Sequence, residues 1–246
     1  MIRTIFRRFT GALGFLTALP VTAQRPESLR GSVVFFPAVG LVLGSLLWLQ
    51  FALLEPLLDS SLNALGLVLT GSFLTRGLHL DGLADSADGF LSHQSPERML
   101  QIMRDSRIGT MGALALFFDL LIRWQALAHC PRSVISQALI VPPVLGRMGM
   151  GVGMVLFPYA RDEGMASEFL PGIKKHDLIG LLLTGAIVAA LAANVRGILV
   201  YAMALLGGFL LWTGCKRRLG GYTGDVLGAT NEVIEVVSLI LLVYAQ

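Results

Sequence analysis

Long segments without a charged residue are the feature of this sequence that most limits its fold. Residues 33–54 contain no charge, and about twenty apolar residues are enough to cross the hydrocarbon core of a bilayer. Only 14% of the 246 residues are charged and the mean hydropathy is +0.72, whereas a soluble domain carries about 25% charged residues. The sequence therefore predicts an all-α, polytopic bundle embedded in the lipid bilayer.

We predict about seven transmembrane helices in a single membrane domain, residues 1–246. The predicted spans are 33–54, 62–78, 110–128, 134–158, 178–195, 197–215 and 225–245. The fifth and sixth spans should form an uncharged hairpin that turns at Arg196. Residues 1–30 resemble a signal peptide, but we expect this segment to be retained as an amphipathic or re-entrant helix.

The distribution of Lys and Arg predicts an orientation. With the N-terminus in the cytoplasm, 15 of the 19 basic residues fall on the inner side, and the outer loops hold only Arg132 and Arg196. Such a bias is expected of a chain that runs N-in and C-out. It places the polar segments 79–109, 159–177 and 216–225 on the cytoplasmic face. The net charge is +3, but the sequence has no basic patch interleaved with aromatic residues. We therefore expect no nucleic-acid partner.

An acidic motif follows the second predicted span. It reads His-Leu-Asp-Gly-Leu-Ala-Asp-Ser-Ala-Asp-Gly at 79–89, and the spacing of Asp81, Asp85 and Asp88 puts three carboxylates on one helical face. Like charges on one helical face repel unless a cation lies among them, and carboxylate oxygens suit Mg²⁺. With Asp105 added, these residues form a candidate metal site. The alternative is a solvated acidic helix end.

Basic and glycine-rich residues on the same predicted face indicate a phosphorylated substrate. The candidate phosphate- or substrate-binding residues are Arg104, Arg107, Lys216, Arg217, Arg218, Gly221, Thr223 and Asp225. For the basic run at 216–218, the positive-inside rule is an equally good explanation. His79 is a candidate general base, with a structural hydrogen-bonding role as its alternative.

The seventh predicted span carries Glu232 and Glu235. Ionisable groups inside a bilayer are costly and usually functional. These two glutamates either complete the metal or substrate site, or pair with Arg147 or Arg123 inside the bundle. Asp119 and Arg123, at positions i and i+4, are expected to neutralise each other.

Three motifs together resemble the cobalamin synthase family, the adenosylcobinamide-GDP ribazoletransferases. They are the motif at 79–89, Arg-Asp-Ser-Arg-Ile-Gly-Thr-Met-Gly at 104–112 and Gly-Gly-Tyr-Thr-Gly-Asp-Val-Leu-Gly-Ala at 220–229. Segments 15–20 and 36–40 also fit the N-terminal pattern of that family, so the resemblance covers nearly the whole chain.

The resemblance implies a Mg²⁺-dependent, multi-pass enzyme of the bacterial inner membrane. Its substrates would be adenosylcobinamide-GDP and α-ribazole or its 5′-phosphate, with GMP released, in the last steps of cobalamin biosynthesis. Under this hypothesis Asp81, Asp85, Asp88 and Asp105 bind Mg²⁺ on the pyrophosphate. One of these carboxylates, or His79, accepts the proton of the attacking hydroxyl. A homo-oligomer or a complex with other corrinoid-pathway enzymes is a possible assembly.

Two other functions share part of the pattern. Asp85-Ser86-Ala87-Asp88-Gly89 matches the first positions of the CDP-alcohol phosphotransferase signature, but the Ala-Arg and the downstream aspartates of that signature are missing. A cation transporter would also place acidic residues in its spans. Transporter sites, however, lie near the bilayer midplane between repeated halves, and no convincing repeat is present.

The orientation predicts the location of the C-terminus. A reporter fused after residue 246 should show periplasmic activity, because seven spans that start in the cytoplasm end outside. Reporter fusions that distinguish the two compartments measure this directly. A cytoplasmic signal would contradict the seven-span count.

Overall fold

The computed structural model describes residues 2–21, 26–161 and 164–245, and the named elements in these ranges are all helical. The helices are α1 (Ile2–Leu16), α2 (Pro26–Leu29), α3 (Phe36–Leu54), α4 (Ser60–Leu74), α5 (Leu78–Leu91), α6 (Pro96–Ile102), α7 (Thr110–Ala128), α8 (Ile135–Leu156), α9 (Asp177–Leu219) and α10 (Gly224–Tyr244). Short 3-10 helices occupy Val33–Phe35 and Met165–Gly172. The predicted all-α class is confirmed.

Five helical segments in the described ranges are long and apolar enough to cross a membrane. They are Val33–Leu54, Thr110–Ala128, Ile135–Leu156, Asp177–Leu219 and Gly224–Tyr244. Helix α4 is apolar but has 15 residues, a length of about 22 Å against a hydrocarbon core of about 30 Å. The segments support a multi-pass membrane protein, and the count of seven spans stays a prediction.

Helix α9 is a hairpin of two arms, 177–192 and 195–219. The backbone leaves the helical conformation at Ala193 and at Asn194, where φ is 50° and ψ is −134°. Tyr201 donates a hydrogen bond of 3.2 Å to the carbonyl oxygen of Leu182, although a straight helix would separate these residues by about 28 Å. The predicted hairpin is therefore confirmed, but its predicted turn at Arg196 is wrong. The turn forms at Asn194, because Asn tolerates a positive φ better than most residues.

Helices α8 and α10 form the centre of the bundle. Most residues of both helices are buried, and α3 approaches α8 closely through small residues. A Cβ atom added at Gly44 would lie 2.7 Å from the carbonyl oxygen of Leu139 and 2.8 Å from the Cα atom of Ile140. Small residues at such crossings allow membrane helices to pack backbone against backbone.

The N-terminal helix α1 is amphipathic and attached to the bundle. Ala12 and Leu16 are fully buried, whereas Ile2 is exposed. The guanidinium of Arg76 donates hydrogen bonds of 3.1 Å to the carbonyl oxygens of Gly14 and Phe15. Residues Ile2–Leu16 form an amphipathic helix, and retention of the predicted segment 1–30 stays a prediction; residues 1 and 22–25 of that segment lie outside the described ranges.

A buried ionic network joins α7, α8 and α10. The guanidinium of Arg123 contacts the carboxylates of Asp119, Glu232 and Glu235 at 2.8, 2.6 and 2.7 Å. Arg147 on α8 forms a further ion pair with Glu235. The structure thus confirms that Glu232 and Glu235 pair with the two arginines, and that Asp119 neutralises Arg123. Pairing is what makes such groups tolerable inside a bilayer.

The ionic network also reaches the start of α5. The Nδ1 atom of His79 lies 3.5 Å from a guanidinium nitrogen of Arg147 and 3.8 Å from a carboxylate oxygen of Glu232. His79 is 1% exposed. The helix that carries the acidic motif therefore begins against a network built by three other helices.

Removal of one network carboxylate should destabilise the protein strongly. Glu235→Ala leaves Arg147 without its ion pair and Arg123 with two of its three, and breaking a buried ion pair costs about 3–5 kcal/mol. Arg132→Ala is the matched control, because the side chain of Arg132 is 84% exposed in its ion pair with Glu55 and such pairs contribute about 0–1 kcal/mol. The free energy of unfolding in mixed micelles measures both variants. Equal losses would contradict a structural role for the network.

Candidate functional site

The acidic motif lies on α5, which begins after a sharp turn. Arg76 and Gly77 adopt positive φ angles of 55° and 66°, so the chain changes direction after α4. The three aspartates lie on the accessible side of α5: Asp81 is exposed, and Asp85 and Asp88 are half-buried. The predicted helical spacing is confirmed. Most of the polar segment 79–109 forms the helices α5 and α6.

Two glycines bring α5 and α10 into backbone contact. A Cβ atom added at Gly82 would lie 2.7 Å from the carbonyl oxygen of Asp225, and one at Gly228 would lie 3.0 Å from that of His79. A larger residue at either position would separate the helices. The crossing places the N-terminus of α10, with Asp225, beside the acidic face of α5.

Two cavities open on this part of the molecule. An open cleft of about 1030 Å³ is lined by four residues of the predicted site, Asp81, Asp85, Arg104 and Asp105, and by Arg76, which was not predicted. A narrow cavity of about 90 Å³ lies beside it and is lined by Phe15, Phe36, Phe169, His79, Asp81, Arg161 and Asp225. Asp81 lies on the wall of both cavities.

Asp81 and Asp85 carry the unpaired negative charge of the open cleft. Neither carboxylate has a hydrogen bond or ion pair with a described residue. Burial, followed by the charges of Asp81, Asp225 and Asp88, raises the pKa of Asp85 to about 7. In the described ranges, no three Asp, Glu, His or Cys side chains converge as a complete metal site. Two accessible carboxylates match the coordination preference of Mg²⁺, which usually binds through one or two carboxylates, waters and substrate phosphates.

Asp88 has a different role in the structure. One of its carboxylate oxygens accepts a 2.7 Å hydrogen bond from the backbone N–H of Gly109, and the other accepts a 2.9 Å bond from Gly112. These N–H groups belong to the start of α7, where a negative charge is also stabilised by the helix dipole. Asp88 therefore holds the second motif, 104–112, against α5. Its proposed part in metal binding stays a prediction.

Asp105 pairs with Arg107 at the surface. The carboxylate and the guanidinium are 2.7 Å apart, and the arginine side chain is 87% exposed. Hydrogen bonds from Arg107 lower the pKa of Asp105 to about 2. Asp105 lines the open cleft, whereas Arg107 lines neither cavity. A phosphate contact by Arg107 stays a prediction.

Arg161 is the residue that the sequence did not reveal. Its guanidinium lies 2.7 Å from the carboxylate of Asp225, and its Nε atom is buried without a hydrogen-bond partner in the described structure. Two backbone hydrogen bonds fix its position: Ala160 donates to Tyr222 at 2.8 Å, and Tyr222 donates to Pro158 at 2.9 Å. The only available signal was its place after the fourth predicted span, on the same face as the motifs.

The glycine-rich segment before α10 is mainly structural. Thr223 caps the helix by accepting a 3.3 Å hydrogen bond from Val226 N–H, and its hydroxyl donates to Asp225 at 3.2 Å. A side chain at Gly221 would meet the backbone of Pro158. Neither residue lines the two cavities, and their predicted contact with a substrate stays untested.

The basic run at 216–218 lies at the end of α9 and is exposed. Arg218 donates a 3.0 Å hydrogen bond to the carbonyl oxygen of Phe90 and lies 5.3 Å from its ring centre. Lys216, Arg217 and Arg218 do not line either cavity. The positive-inside explanation for this run remains as good as a phosphate contact.

His79 lines the narrow cavity and is buried. Burial, together with the neighbouring charge of Arg147, lowers the pKa of His79 to about 3. Its Nε2 atom has no hydrogen-bond partner among the described residues. The role of His79 as a general base stays a prediction. The structure shows in addition that His79 lines the narrow cavity.

Comparison with known proteins gives one consistent family. The profile of the family described as cobalamin-5-phosphate synthase matches residues 8–243. An adenosylcobinamide-GDP ribazoletransferase of Syntrophobacter fumaroxidans is 41% identical over 96% of this chain and 97% of its own length. Proteins of the same name from Acetivibrio thermocellus and Citrobacter koseri are 37% and 38% identical, over 96% and 95% of this chain and 96% and 98% of their own lengths. No solved structure matches the chain.

The anchoring role of Asp88 predicts a local change in hydrogen exchange. In Asp88→Asn one acceptor oxygen remains, so one of the two N–H groups loses its partner, and amide exchange at 109–112 should accelerate about tenfold or more. Asp105→Asn is the matched control, since its carboxylate bonds to the guanidinium and the backbone N–H of Arg107, outside 109–112. Mass spectrometry of peptides that begin after residue 107 and cover 109–114 measures both. Unchanged exchange in Asp88→Asn would show that the two hydrogen bonds do not hold this segment.

Proposed function

This chain belongs to the cobalamin-5-phosphate synthase family, and we propose that it joins adenosylcobinamide-GDP to α-ribazole, or to its 5′-phosphate, with release of GMP. The reaction belongs to the last steps of cobalamin biosynthesis. The observation that carries the proposal is the unpaired Asp81–Asp85 face on the open cleft, within a chain that matches the family almost from end to end. The CDP-alcohol phosphotransferase and transporter alternatives have no comparable support.

The proposed reaction is a phosphoryl transfer. The hydroxyl oxygen of α-ribazole forms a bond to the phosphorus attached to cobinamide, and the bond from that phosphorus to the oxygen bridging it to GMP breaks. GMP leaves with the bridging oxygen, and the hydroxyl proton passes to an acceptor in the site. Enzymes accelerate such reactions mainly by positioning the reactants and neutralising charge.

We propose Mg²⁺ as the cofactor of this site. Asp81 and Asp85 would hold the ion, because both line the open cleft and neither has a partner among the described residues; Asp105 lines the same cleft. When bound, the ion would neutralise phosphate oxygens and stabilise the leaving GMP. Asp88 is a weaker candidate because both of its oxygens already accept backbone hydrogen bonds.

Basic side chains are available for the phosphates. Arg104 and Arg76 line the open cleft, and Arg161 lies beside Asp225 on the neighbouring wall. A guanidinium binds phosphate oxygens through two parallel hydrogen bonds. We propose Arg104 and Arg161 as phosphate ligands, and an aspartate of the site that does not hold the ion, or the buried His79, as the proton acceptor.

We further propose that the site faces the cytoplasm from the bacterial inner membrane, with the N-terminus inside. The distribution of basic residues along the chain supports this orientation. It would give the enzyme direct access to nucleotide substrates made in the cytoplasm.

Loss of a single carboxylate from the acidic face should abolish turnover. Asp81→Asn and Asp85→Asn should each lower GMP release from adenosylcobinamide-GDP by about 100-fold or more, because each removes a charge from the proposed metal site. Glu97→Gln is the matched control, as Glu97 lies in the first turn of α6 and lines neither cavity. GMP release by purified protein in lipid vesicles, with Mg²⁺ and α-ribazole, provides the measurement.

A metal readout independent of turnover completes this test. Mn²⁺ binding, followed by electron paramagnetic resonance, should weaken in both aspartate variants and stay unchanged in Glu97→Gln. Full activity in both aspartate variants would remove the metal assignment. Failure of the wild-type protein to release GMP would overturn the proposed function itself.

A further inference from the structure

We propose that the groove between α8 and the hairpin α9 binds one anionic phospholipid. An acyl chain of the lipid lies along the apolar groove, and its phosphate lies between basic residues at one end of the groove. The proposal concerns the side of the bundle that faces the bilayer, away from the acidic motif, and it is independent of the reaction proposed above.

The groove is open and large enough for part of an acyl chain. It has a volume of about 260 Å³ and is lined by apolar residues of α8 and of both hairpin arms, whereas an apolar protein cavity of about 150 Å³ already holds benzene. Gly149 and Gly208 on its floor are buried, but Leu156 and Phe209 on its walls are 52% and 56% exposed. Because the exposed apolar surface of a membrane-spanning helix faces lipid, a lipid chain can enter the groove from the side.

The groove lies at one end of the membrane-spanning helices. Among its lining residues, Leu156 is the last residue of α8 and Leu178 is the second residue of α9. Trp212 lies about two turns before the end of α9, and the hairpin brings this end beside the start of the same helix. The ends of spanning helices lie near the lipid headgroups, so the groove opens at the level where a phospholipid phosphate is located.

Two pairs of basic residues flank this end of the groove. Lys174 and Lys175 come shortly before α9, and Lys216 and Arg217 lie in its last turn. All four residues are exposed, and their side chains form no ion pair with a residue in the described ranges. Asp177, the acidic residue nearest to them in the sequence, is buried and accepts a 2.8 Å hydrogen bond from the backbone N–H of Lys174. Basic pockets between membrane helices bind anionic lipid headgroups.

The helical register places two of these lysines next to the groove. Phe209 and Trp212 line the groove, and Lys216 follows them at the spacing of three or four residues that keeps side chains on one helical face. The carbonyl oxygen of Lys175 accepts a 3.3 Å hydrogen bond from the N–H of Leu178, which also lines the groove. The positive-inside rule explains basic residues on one membrane face, but it does not explain their position at the end of an apolar groove.

Lipid binding by the purified full chain in a neutral detergent tests the charge part of the proposal. Titrations followed by native mass spectrometry should show tighter binding of phosphatidylglycerol than of phosphatidylcholine with the same acyl chains. Lys175→Gln combined with Lys216→Gln should lower the affinity for phosphatidylglycerol about 25-fold, since each basic residue near a headgroup contributes about fivefold. Arg7→Gln combined with Arg98→Gln is the matched control and should keep the wild-type affinity, because both arginines are exposed and neither lines the groove.

Substitutions at two neighbouring leucines test the acyl-chain part. Leu205 lines the groove, whereas Leu206 is exposed and does not line it. Leu205→Trp should fill the groove and abolish the complex with phosphatidylglycerol without a change of charge, and Leu206→Trp should retain the complex. Glycerol phosphate, which has the phosphate but no acyl chain, should not displace the lipid from the wild type. A thermal unfolding midpoint near that of the wild type, measured without added lipid, confirms that each variant is folded.

The outcomes decide each part of the proposal. Equal binding of the two lipids, or wild-type affinity in the double lysine variant, would overturn the phosphate site. A lipid complex that persists in folded Leu205→Trp would overturn the acyl-chain site, and a wild-type dimer that becomes a monomer in this variant would assign the groove to a second copy of the chain instead. Loss of the lipid in both groove variants, with binding retained in both controls, would establish the proposal. None of these measurements uses the two substrates, so the result does not depend on the proposed reaction.

Discussion

The buried ionic network of Arg123, Arg147, Glu232 and Glu235 is the interaction on which the rest of the structure depends. In a bilayer an ionisable side chain must be paired or face water, and these four groups satisfy one another across α7, α8 and α10. The network thereby fixes the relative rotation of three helices. Because His79 contacts both Arg147 and Glu232, it also fixes the start of α5, and with it the position of every aspartate that follows.

The aspartates of the two motifs perform separate tasks although they are the same residue type. The carboxylate of Asp88 accepts hydrogen bonds from two backbone N–H groups and so holds the segment 104–112 against α5. The carboxylate of Asp105 forms an ion pair with the nearby Arg107. Asp81 and Asp85 line the open cleft, and their carboxylates make no hydrogen bond or ion pair with the described residues. The neighbouring carboxylates of Asp81 and Asp225 repel a charge on Asp85 and contribute to its raised pKa.

The fold was largely predictable from the sequence, because the length of an apolar segment can be read directly from consecutive residues. Predicted spans 33–54 and 110–128 coincide with helical segments of the structure, and the hairpin was missed only in the position of its turn, at Asn194 instead of Arg196. The site was predictable only in part. The acidic face of α5 could be predicted from the spacing of Asp81, Asp85 and Asp88 along the sequence. The pairing of Arg161 with Asp225 could not, because these residues are 64 positions apart and a local sequence pattern does not indicate such a contact. The narrow cavity was missed for the same reason, since Phe15, Phe36 and Phe169 come from three distant segments.

The contact between Gly82 and Gly228 explains how these separate features produce one site. Without side chains at the crossing, α10 comes close enough to bring Asp225 and its partner Arg161 beside Asp81. The same approach closes the narrow cavity on one side and leaves the open cleft on the other, with Asp81 between them. Two residues without side chains thus determine the geometry in which the carboxylates act.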